Sequence, residues 1–223
     1  MKDRTLPLHY LRDFFGLREF YLPSARDHCR ALQLLAEASH RCRRCALGGG
    51  RTHNVPGWGN AYARLMLVGE APGADEDRLG KPFVGKAGEV LTRLLAEAGI
   101  DRERDLYLTN VVKCRPPGNR DPLPGEISAC LRFLSLQVEI ISPDLILCLG
   151  RWSARTLLGL PLDDKDRTSS LGSLRGRAHR SILGPDLIVT YHPSFVARNE
   201  EAKPEVWKQA LSDIRLVVEK LGW

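Results

Sequence analysis

The sequence predicts an α/β protein, a three-layer α/β/α sandwich around a central four-stranded parallel sheet. Four short apolar runs lack strict alternation, which is typical of strands that are covered on both faces. Amphipathic stretches with helical periodicity separate these runs. The chain has 223 residues, of which 43% are hydrophobic and 27% charged, so its apolar surface suffices for a sizeable core and excludes a disordered protein.

The four strand candidates are rich in Leu, Ile and Val, and each is only six to eight residues long. They cover residues 64–69, 105–112, 144–150 and 186–191. Runs of this length suit strands better than helices, which need about ten or more residues. We therefore expect four core strands.

Three helices are expected between and after these strands. Apolar residues recur three and four positions apart in 87–98, 124–141 and 204–221. Pro124 begins the second stretch, where the first turn of a helix tolerates proline. The alternation of strands and helices predicts that neighbouring strands are parallel.

Two regions depart from this pattern. Residues 160–185 are polar and rich in turn formers, which predicts a loop and a short hairpin between the third and fourth strands. Residues 1–40 contain five of the fifteen aromatic residues. We expect them to form a helical extension packed against a domain that spans residues 41–223, and a surface for docking a partner is the alternative.

The lengths of the apolar runs and the distribution of charge indicate the expected cellular location and the expected type of partner. No apolar run approaches the ~20 residues that a membrane helix needs, and charges interrupt the N-terminus where a secretory signal would be apolar. A cytoplasmic protein is therefore expected. Lys and Arg number 33 against 27 Asp and Glu, a net charge of +6 that suits a polyanionic partner and equally a merely soluble protein.

Polar side chains follow the predicted strands at the ends where parallel sheets bind ligands. Glu70 follows the first run, Asn110 lies in the second, and His192 follows the fourth. Each of these residues alone could be structural, but their convergence at one sheet edge predicts a functional site. The turn Gly69–Gly73 fits neither the dinucleotide nor the phosphate-loop fingerprint, so a nucleotide cofactor is disfavoured.

The six cysteines form a second group of interest. Cys42 and Cys45 are spaced as a chelating pair, but their separation from Cys114 and Cys130 matches no zinc ribbon. Cys148 lies inside an apolar strand and is expected to be buried, and Cys29 receives no role. For the other four, the spacing leaves metal binding and plain burial open, and it does not separate zinc from iron–sulfur.

Three segments carry a family resemblance. They are VGEAPGADEDRLGKPFVGKAG (68–88), YLTNVVKCRPPGNRDPLPGE (107–126) and YHPSFVARN (191–199). With Cys42-x-x-Cys45 ahead and Cys130 behind, they closely resemble the family 4 (thermostable, iron–sulfur) uracil-DNA glycosylases from about residue 40 to the end. The resemblance implies a glycosylase fold and an enzyme that flips uracil out of DNA and hydrolyses its N-glycosidic bond. The product is an abasic site, with no lyase step.

The resemblance also implies residue roles in a uracil pocket. Phe83 would stack on the base, Asn110 would pair with O4 and N3–H, and His192 would approach O2. Glu70 would stabilise the sugar cation and orient water. Glu76 would join the catalytic carboxylates and form the wall that excludes the methyl group of thymine. Ala71 and Gly73 would add backbone contacts.

The same resemblance implies a [4Fe–4S] cluster with a structural role, held by Cys42, Cys45, Cys114 and Cys130. The expected DNA phosphate contacts are Lys86, Arg115, Arg120, Ser194 and Arg198, and the basic hairpin 175–180 is a further candidate. A wedge that fills the gap left by the flipped base would be Phe195 or Val196. The expected partner is uracil-containing DNA, single- or double-stranded, bound by a monomer, with a repair or replication protein docking on the extension.

Three alternatives stay open at this point. The first is a glycosylase of different specificity, or the variant that captures uracil sites covalently, whose pattern includes an extra basic, histidine-bearing loop after the second motif. Here only 15 residues separate Cys114 from Cys130 and none is histidine, which argues against it. A non-catalytic iron–sulfur DNA-binding module would not need the set Glu70, Phe83, Asn110 and His192. A zinc-containing nucleic-acid-binding protein is the third alternative.

Overall fold

The central sheet of the computed structural model, which describes residues 27–162 and 170–223, contains the four predicted strands. They are β2 (Leu65–Gly69), β3 (Leu106–Asn110), β4 (Leu145–Leu149) and β6 (Asp186–Thr190). All four are parallel, in the order β3-β2-β4-β6. The prediction of four parallel core strands is therefore confirmed.

The sheet has six strands in the described residues, so the predicted count of four is too low. Strand β1 (Trp58–Gly59) pairs with β3, and β5 (Ala178–Arg180) pairs with β6; both pairings are antiparallel and lie at the edges. Strands of two and three residues are too short to appear in the sequence as apolar runs, and β5 is largely exposed. Strand β5 lies in the region 160–185 where a short hairpin was predicted, but its partner is the fourth core strand itself, β6.

The helices cover both faces of the sheet. They are α1 (His28–His40), α2 (Leu47–Gly50), α3 (Ala74–Leu79), α4 (Lys86–Glu97), α5 (Pro124–Ile141), α6 (Arg151–Leu158), α7 (Leu171–Leu174), α8 (Pro193–Asn199) and α9 (Pro204–Leu221), with a 3₁₀ turn at Pro117–Asn119. The three helices predicted from periodicity correspond to α4, α5 and α9. The bounds of α5 and α9 are the predicted ones.

Alternate side chains of each strand enter opposite core layers. Met66 and Val68 pack with α1, α5 and α6, whereas Leu65 and Leu67 pack with α4 and α9. All four side chains are fully buried. Because each face of the sheet meets a helical layer, the strands are apolar throughout, which confirms the α/β/α sandwich.

The register aligns the carboxyl ends of the core strands. Gly69 is opposite Asn110, Val68 is opposite Cys148, and Leu149 is opposite Thr190. The residues that follow these positions therefore share one edge of the sheet, as the topology of a parallel sheet requires.

The predicted N-terminal extension is described only from residue 27. Its described part is α1, which packs on α5 and buries Ala31 and Leu35 in the core. Residues 1–26, including all five aromatic residues of the extension, lie outside the described residues, and so does the docking surface expected there. In the part of the chain that the structure describes, no helix has the length and apolar character to cross a membrane.

Candidate active site and cysteine cavity

A pocket of about 770 Å³ opens at the carboxyl edge of the sheet. Its wall includes every residue predicted for the pocket, namely Glu70, Ala71, Gly73, Glu76, Phe83, Asn110 and His192. Of the predicted phosphate contacts, Arg120, Ser194 and Arg198 also line it, whereas Lys86 and Arg115 do not. The strand-end argument placed Glu70, Asn110 and His192 at one edge of the sheet, and all three line this pocket.

Asn110 presents an unused acceptor in this pocket. It is the last residue of β3 and is 2% exposed, and its Oδ1 has no hydrogen-bond partner among the residues that the structure describes. A buried polar atom without a partner is costly, at roughly 1–3 kcal/mol. Gly69 allows this placement, because a Cβ atom there would lie 2.3 Å from Oδ1 of Asn110. The pocket is therefore built to receive a hydrogen-bond donor.

Two rings flank the space in front of Asn110. Phe83 is buried, and the centroids of the Phe83 and His192 rings are 6.2 Å apart. Gly69 again makes room, since a Cβ atom there would lie 2.6 Å from Cζ of Phe83. Phe83 has a φ of +54°, in the left-handed region that a bulky side chain rarely adopts.

The Glu76 carboxylate holds the backbone on both sides of the pocket turn. Its Oε2 accepts a hydrogen bond from the Gly73 N–H (3.0 Å), and its Oε1 accepts from Val84 N–H (2.9 Å) and Gly85 N–H (3.2 Å). Three backbone donors thus occupy the two oxygens. This arrangement favours the predicted role as a wall of the pocket over a role among the catalytic carboxylates.

Glu70 is a carboxylate of the pocket wall whose pKa is raised. Burial is the main cause that raises its pKa to about 7, and the Asp121 carboxylate raises it further, whereas Arg151 opposes the shift. Asp121 and Arg151 also line the pocket and form an ion pair of 3.1 Å. A carboxyl group with a pKa near neutrality can exist in both protonation states under physiological conditions.

His192 is a neutral hydrogen-bond donor aligned by its own helix. It caps the N-terminus of α8, and its Nδ1 faces the N–H (3.2 Å) and Oγ (2.8 Å) of Ser194. Burial, with a smaller effect of the Arg198 cation, lowers the pKa of His192 to about 4. Because Nδ1 accepts from a backbone N–H, the proton of the neutral ring resides on Nε2.

Sequence reasoning missed the contribution of the third core strand. Arg151 and Trp152, directly after β4, line the pocket together with Asp121 and Tyr191. The preceding Gly150 has a φ of +94°, and a Cβ atom there would lie 2.8 Å from Cβ of His192. The same strand-end rule, applied to the residues after the third run, could have found Arg151 and Trp152.

The two wedge candidates have different surroundings. Val196 lies on the inner side of α8 and is fully buried in the core. Phe195 is 36% exposed, lines the pocket, and its ring centroid lies 5.1 Å from that of Tyr191. Of the two, only Phe195 is therefore available to an external ligand.

A second, smaller cavity lies beside the pocket. Its wall contains all four cysteines with metal-like spacing, Cys42, Cys45, Cys114 and Cys130. No group of three or more His, Cys, Asp or Glu side chains within the described ranges is close enough to count as a metal site by itself. Cys148 is buried in β4 as predicted, and Cys29 is exposed.

The chemistry of this wall fits an anionic tetrathiolate group. Arg44, Arg51 and Lys113 contribute cations, and no carboxylate is among the described residues of the wall. Arg51 Nη1 donates to Sγ of Cys114 (2.9 Å), and the backbone N–H of Lys113 donates to Sγ of Cys130 (3.3 Å). Four soft thiols without oxygen ligands suit iron–sulfur or zinc rather than a hard cation.

Lys113 joins the cavity to the pocket. Its side chain is fully buried, and Nζ donates to Asn110 O (2.6 Å), Thr109 Oγ1 (2.7 Å) and Gln137 Oε1 (2.7 Å). Burial lowers the pKa of Lys113 to about 7, an effect that the nearby Cys130 and Cys114 oppose. The last residue of β3 is thus tied to the cysteine wall by one side chain.

Comparison with known proteins identifies a protein family that matches this chain. A family model described as the uracil DNA glycosylase superfamily matches residues 56–215. A type-4 uracil-DNA glycosylase of Thermotoga maritima is 44% identical over 82% of this chain and 91% of its own length. Enzymes of the same name from Saccharolobus solfataricus (43%, over 86% of this chain and 87% of the relative) and Archaeoglobus fulgidus (42%, over 81% and 88%) are similarly related. The family match contains all four core strands and the pocket residues from Glu70 to His192.

Proposed function

The chain belongs to the uracil-DNA glycosylase superfamily, and we propose that it removes uracil from DNA by hydrolysing the N-glycosidic bond. The product is DNA with an abasic site, and the chemistry ends there, without a lyase step. The observation that carries this proposal is the buried, unpartnered Oδ1 of Asn110 between Phe83 and His192. It is an acceptor placed where a planar base with one ring N–H fits.

Uracil is selected by its hydrogen-bonding edge. The Asn110 side chain accepts from N3–H through Oδ1 and donates to O4 through Nδ2. Cytosine lacks the N3 proton and carries an amino group at position 4, so it leaves both groups of the amide mismatched. Sites built around such a buried pair reject the wrong partner by orders of magnitude.

The base reaches this pocket only after it leaves the duplex. Flipping costs roughly a few kcal/mol of unstacking and unpairing, and a mismatched base is the easiest to extrude. Phe83 replaces the lost stacking on one face of the uracil ring. Phe195, on the exposed rim, fills the gap that the base leaves in the duplex.

Glu70 and His192 act on opposite ends of the breaking bond. The ionised Glu70 stabilises the positive charge that develops on the sugar and orients the attacking water. The Nε2–H of the neutral His192 donates to O2, where negative charge develops on the departing uracil. One preorganised donor of this kind is typically worth ~3 kcal/mol.

Glu76 shapes the pocket without taking part in proton transfer. Its carboxylate is fixed by three backbone N–H groups, so it is a rigid part of the wall. A rigid wall close to C5 of the base is what excludes the methyl group of thymine. Ala71 and Gly73 contribute backbone to the same turn.

DNA is held through its phosphates on the rim of the pocket. The proposed contacts are Lys86, Arg115, Arg120, Ser194 and Arg198, with the hairpin 175–180 as a further basic surface. Arg120 is already oriented by Glu126 (2.6 Å), and Arg115 by Asn119 (2.7 Å). Such contacts are independent of sequence and weaken with salt.

The four thiols of the second cavity would hold a [4Fe–4S] cluster, namely Cys42, Cys45, Cys114 and Cys130. When bound, it supplies a structural crosslink between distant loops, because glycosidic hydrolysis needs no electron carrier. Arg51 and Lys113 direct N–H groups at the sulfur atoms and stabilise thiolates there. A zinc ion is the alternative occupant for this ligand set.

The direct test is incubation with oligonucleotides that contain one uracil, in single strands and opposite guanine or adenine. We expect alkali-sensitive breaks at the uracil position, and none in matched strands with thymine or cytosine there. Binding without any cleavage in all uracil contexts would overturn the proposal in favour of a DNA-binding module. Iron and sulfide analysis of the purified protein distinguishes the cluster from zinc.

A further inference from the structure

The backbone carbonyl of Phe83, whose φ is positive, is bound by a residue 19 positions further along the chain. Arg102 lies in the loop between α4 and β3, and it is half-buried. Its Nη2 donates to Phe83 O (2.7 Å) and Pro82 O (3.2 Å). Both carbonyl groups belong to the segment that places the aromatic ring in the pocket.

The second terminal nitrogen of the same guanidinium, Nη1, forms hydrogen bonds to α4. Arg102 Nη1 donates to Thr92 Oγ1 (2.7 Å) and to Gly88 O (3.2 Å). Arg102 therefore bridges the Phe83 segment and the first two turns of the helix that follows it. A planar group with several donors makes such a bridge, whereas the single nitrogen of a lysine does not.

The Phe83 carbonyl has little freedom to move away from this bridge. A Cβ atom at position 88 would lie 1.9 Å from Phe83 O, so the carbonyl rests directly on the α4 backbone at Gly88. On the opposite side, Glu76 accepts from the N–H groups of Val84 and Gly85. The peptide group between Phe83 and Val84 is thus held by a cation at its carbonyl oxygen and by an anion at its N–H.

We propose that Arg102 is a positioning residue of the uracil pocket, which fixes the Phe83 ring in the orientation that stacks on the flipped base. This assignment rests on the proposed function of the pocket. Arg102 itself touches neither the base nor the reacting bond, since it is absent from the wall of that pocket among the described residues. Its effect passes entirely through the backbone of residues 82–88.

The test compares Arg102→Ala and Arg102→Lys with Arg104→Ala in the full chain. Arg104 is a matched control, because it lies two residues away in the same loop, is exposed, and forms an ion pair with the adjacent Asp105. Single-turnover cleavage, inhibition by free uracil, affinity for abasic DNA and the thermal midpoint are measured for each protein. Free uracil reports the pocket alone, and abasic DNA reports the phosphate contacts alone.

We expect Arg102→Ala to slow single-turnover cleavage by about tenfold and to weaken inhibition by free uracil by a similar factor, as a lost stacking surface does. The affinity for abasic DNA and the KM for uracil DNA should stay at the wild-type values. Arg102→Lys should fall between the alanine variant and wild type, and Arg104→Ala should match wild type.

Two results would overturn the inference. One is a rate and a uracil inhibition constant in Arg102→Ala that equal those of Arg104→Ala. The other is an equal loss of abasic-DNA affinity or a collapse of the thermal midpoint, which would indicate a general structural role. If the wild-type protein fails to cleave, the proposed function fails instead. Amide hydrogen exchange of residues 84–88 in Arg102→Ala against Arg104→Ala then decides the positioning role by itself.

Discussion

The Asp121 carboxylate and the Arg151 guanidinium form a 3.1 Å ion pair on the wall of the pocket, and they act on Glu70 with opposite signs. Asp121 raises the pKa of Glu70, and Arg151 lowers it. The pair joins the loop after β3 to the first residue of α6. Burial is the main cause of the raised pKa of Glu70, and this ion pair, from two segments that sequence reasoning did not connect, adjusts it.

The first prediction concerns pH. We propose ionised Glu70 as the active form, and burial raises the pKa of this group to about 7, so single-turnover cleavage should rise with pH through 7 and level off above it. His192 stays neutral over this range, since its pKa is about 4. Asp121→Asn should move the rise to lower pH, and Arg151→Met should move it to higher pH. Rate profiles from pH 5 to 9 (roughly the span in which a carboxyl group of this kind titrates) measure both shifts, and shifts of the same sign would contradict the assignment.

The second prediction concerns base selection by Asn110. Asn110→Asp keeps the size of the side chain but replaces the amide donor with a second acceptor, which repels O4 of uracil. We expect uracil cleavage to fall by roughly 100-fold or more. Affinity for abasic DNA should be unchanged, because the phosphate contacts remain. Gel-shift titration and single-turnover rates on the same oligonucleotide separate the two, and parallel losses of both would argue against a base-reading role.

The third prediction concerns the cysteine cavity. Cys114→Ser should abolish the visible absorbance of an iron–sulfur cluster and lower the thermal midpoint, because one of four thiolate ligands is lost. Cys29→Ser is the matched control, since Cys29 is exposed and lies outside the cavity wall. Ultraviolet–visible spectra and iron analysis check the outcome. Full absorbance in Cys114→Ser, or its loss in Cys29→Ser, would refute the ligand set.

The fourth prediction concerns the wedge. Phe195→Ala should reduce the cleavage rate on double-stranded DNA by roughly tenfold, because the gap left by the flipped base is no longer filled. Single-stranded DNA has no such gap, so its cleavage should change little. The ratio of the two rates is the readout. Phe195→Leu retains an apolar wedge and should recover most of the duplex activity; an unchanged ratio in the alanine variant would remove Phe195 from this role.

The core strands and the main pocket residues were predictable because both follow from local patterns. Apolar runs mark strands covered on two faces, and topology alone brings Glu70, Asn110 and His192 to one edge. The edge strands β1 and β5 were not predictable, since two or three residues held by a neighbour carry no periodic signal.

Other features depend on tertiary approach and have no local signature. Asp77 belongs to an acidic run that looks like a solvated face, yet it is buried and accepts from the N–H groups of Thr52 and His53. Arg102 stands in an equally charged segment, DRERD, and only the fold shows that it reaches Phe83. Predicting such long-range partners requires the packing of the loops, which no spacing rule encodes.

Residues Asn110 to Cys114 serve the base pocket at one end and the cysteine wall at the other, with the Lys113 side chain folded back between them. Only three positions separate a pocket residue, Asn110, from a cysteine of the second cavity, Cys114. An insertion or deletion here would misplace a base-reading amide and a thiol in a single step. Neither site can therefore be moved along the chain without moving the other.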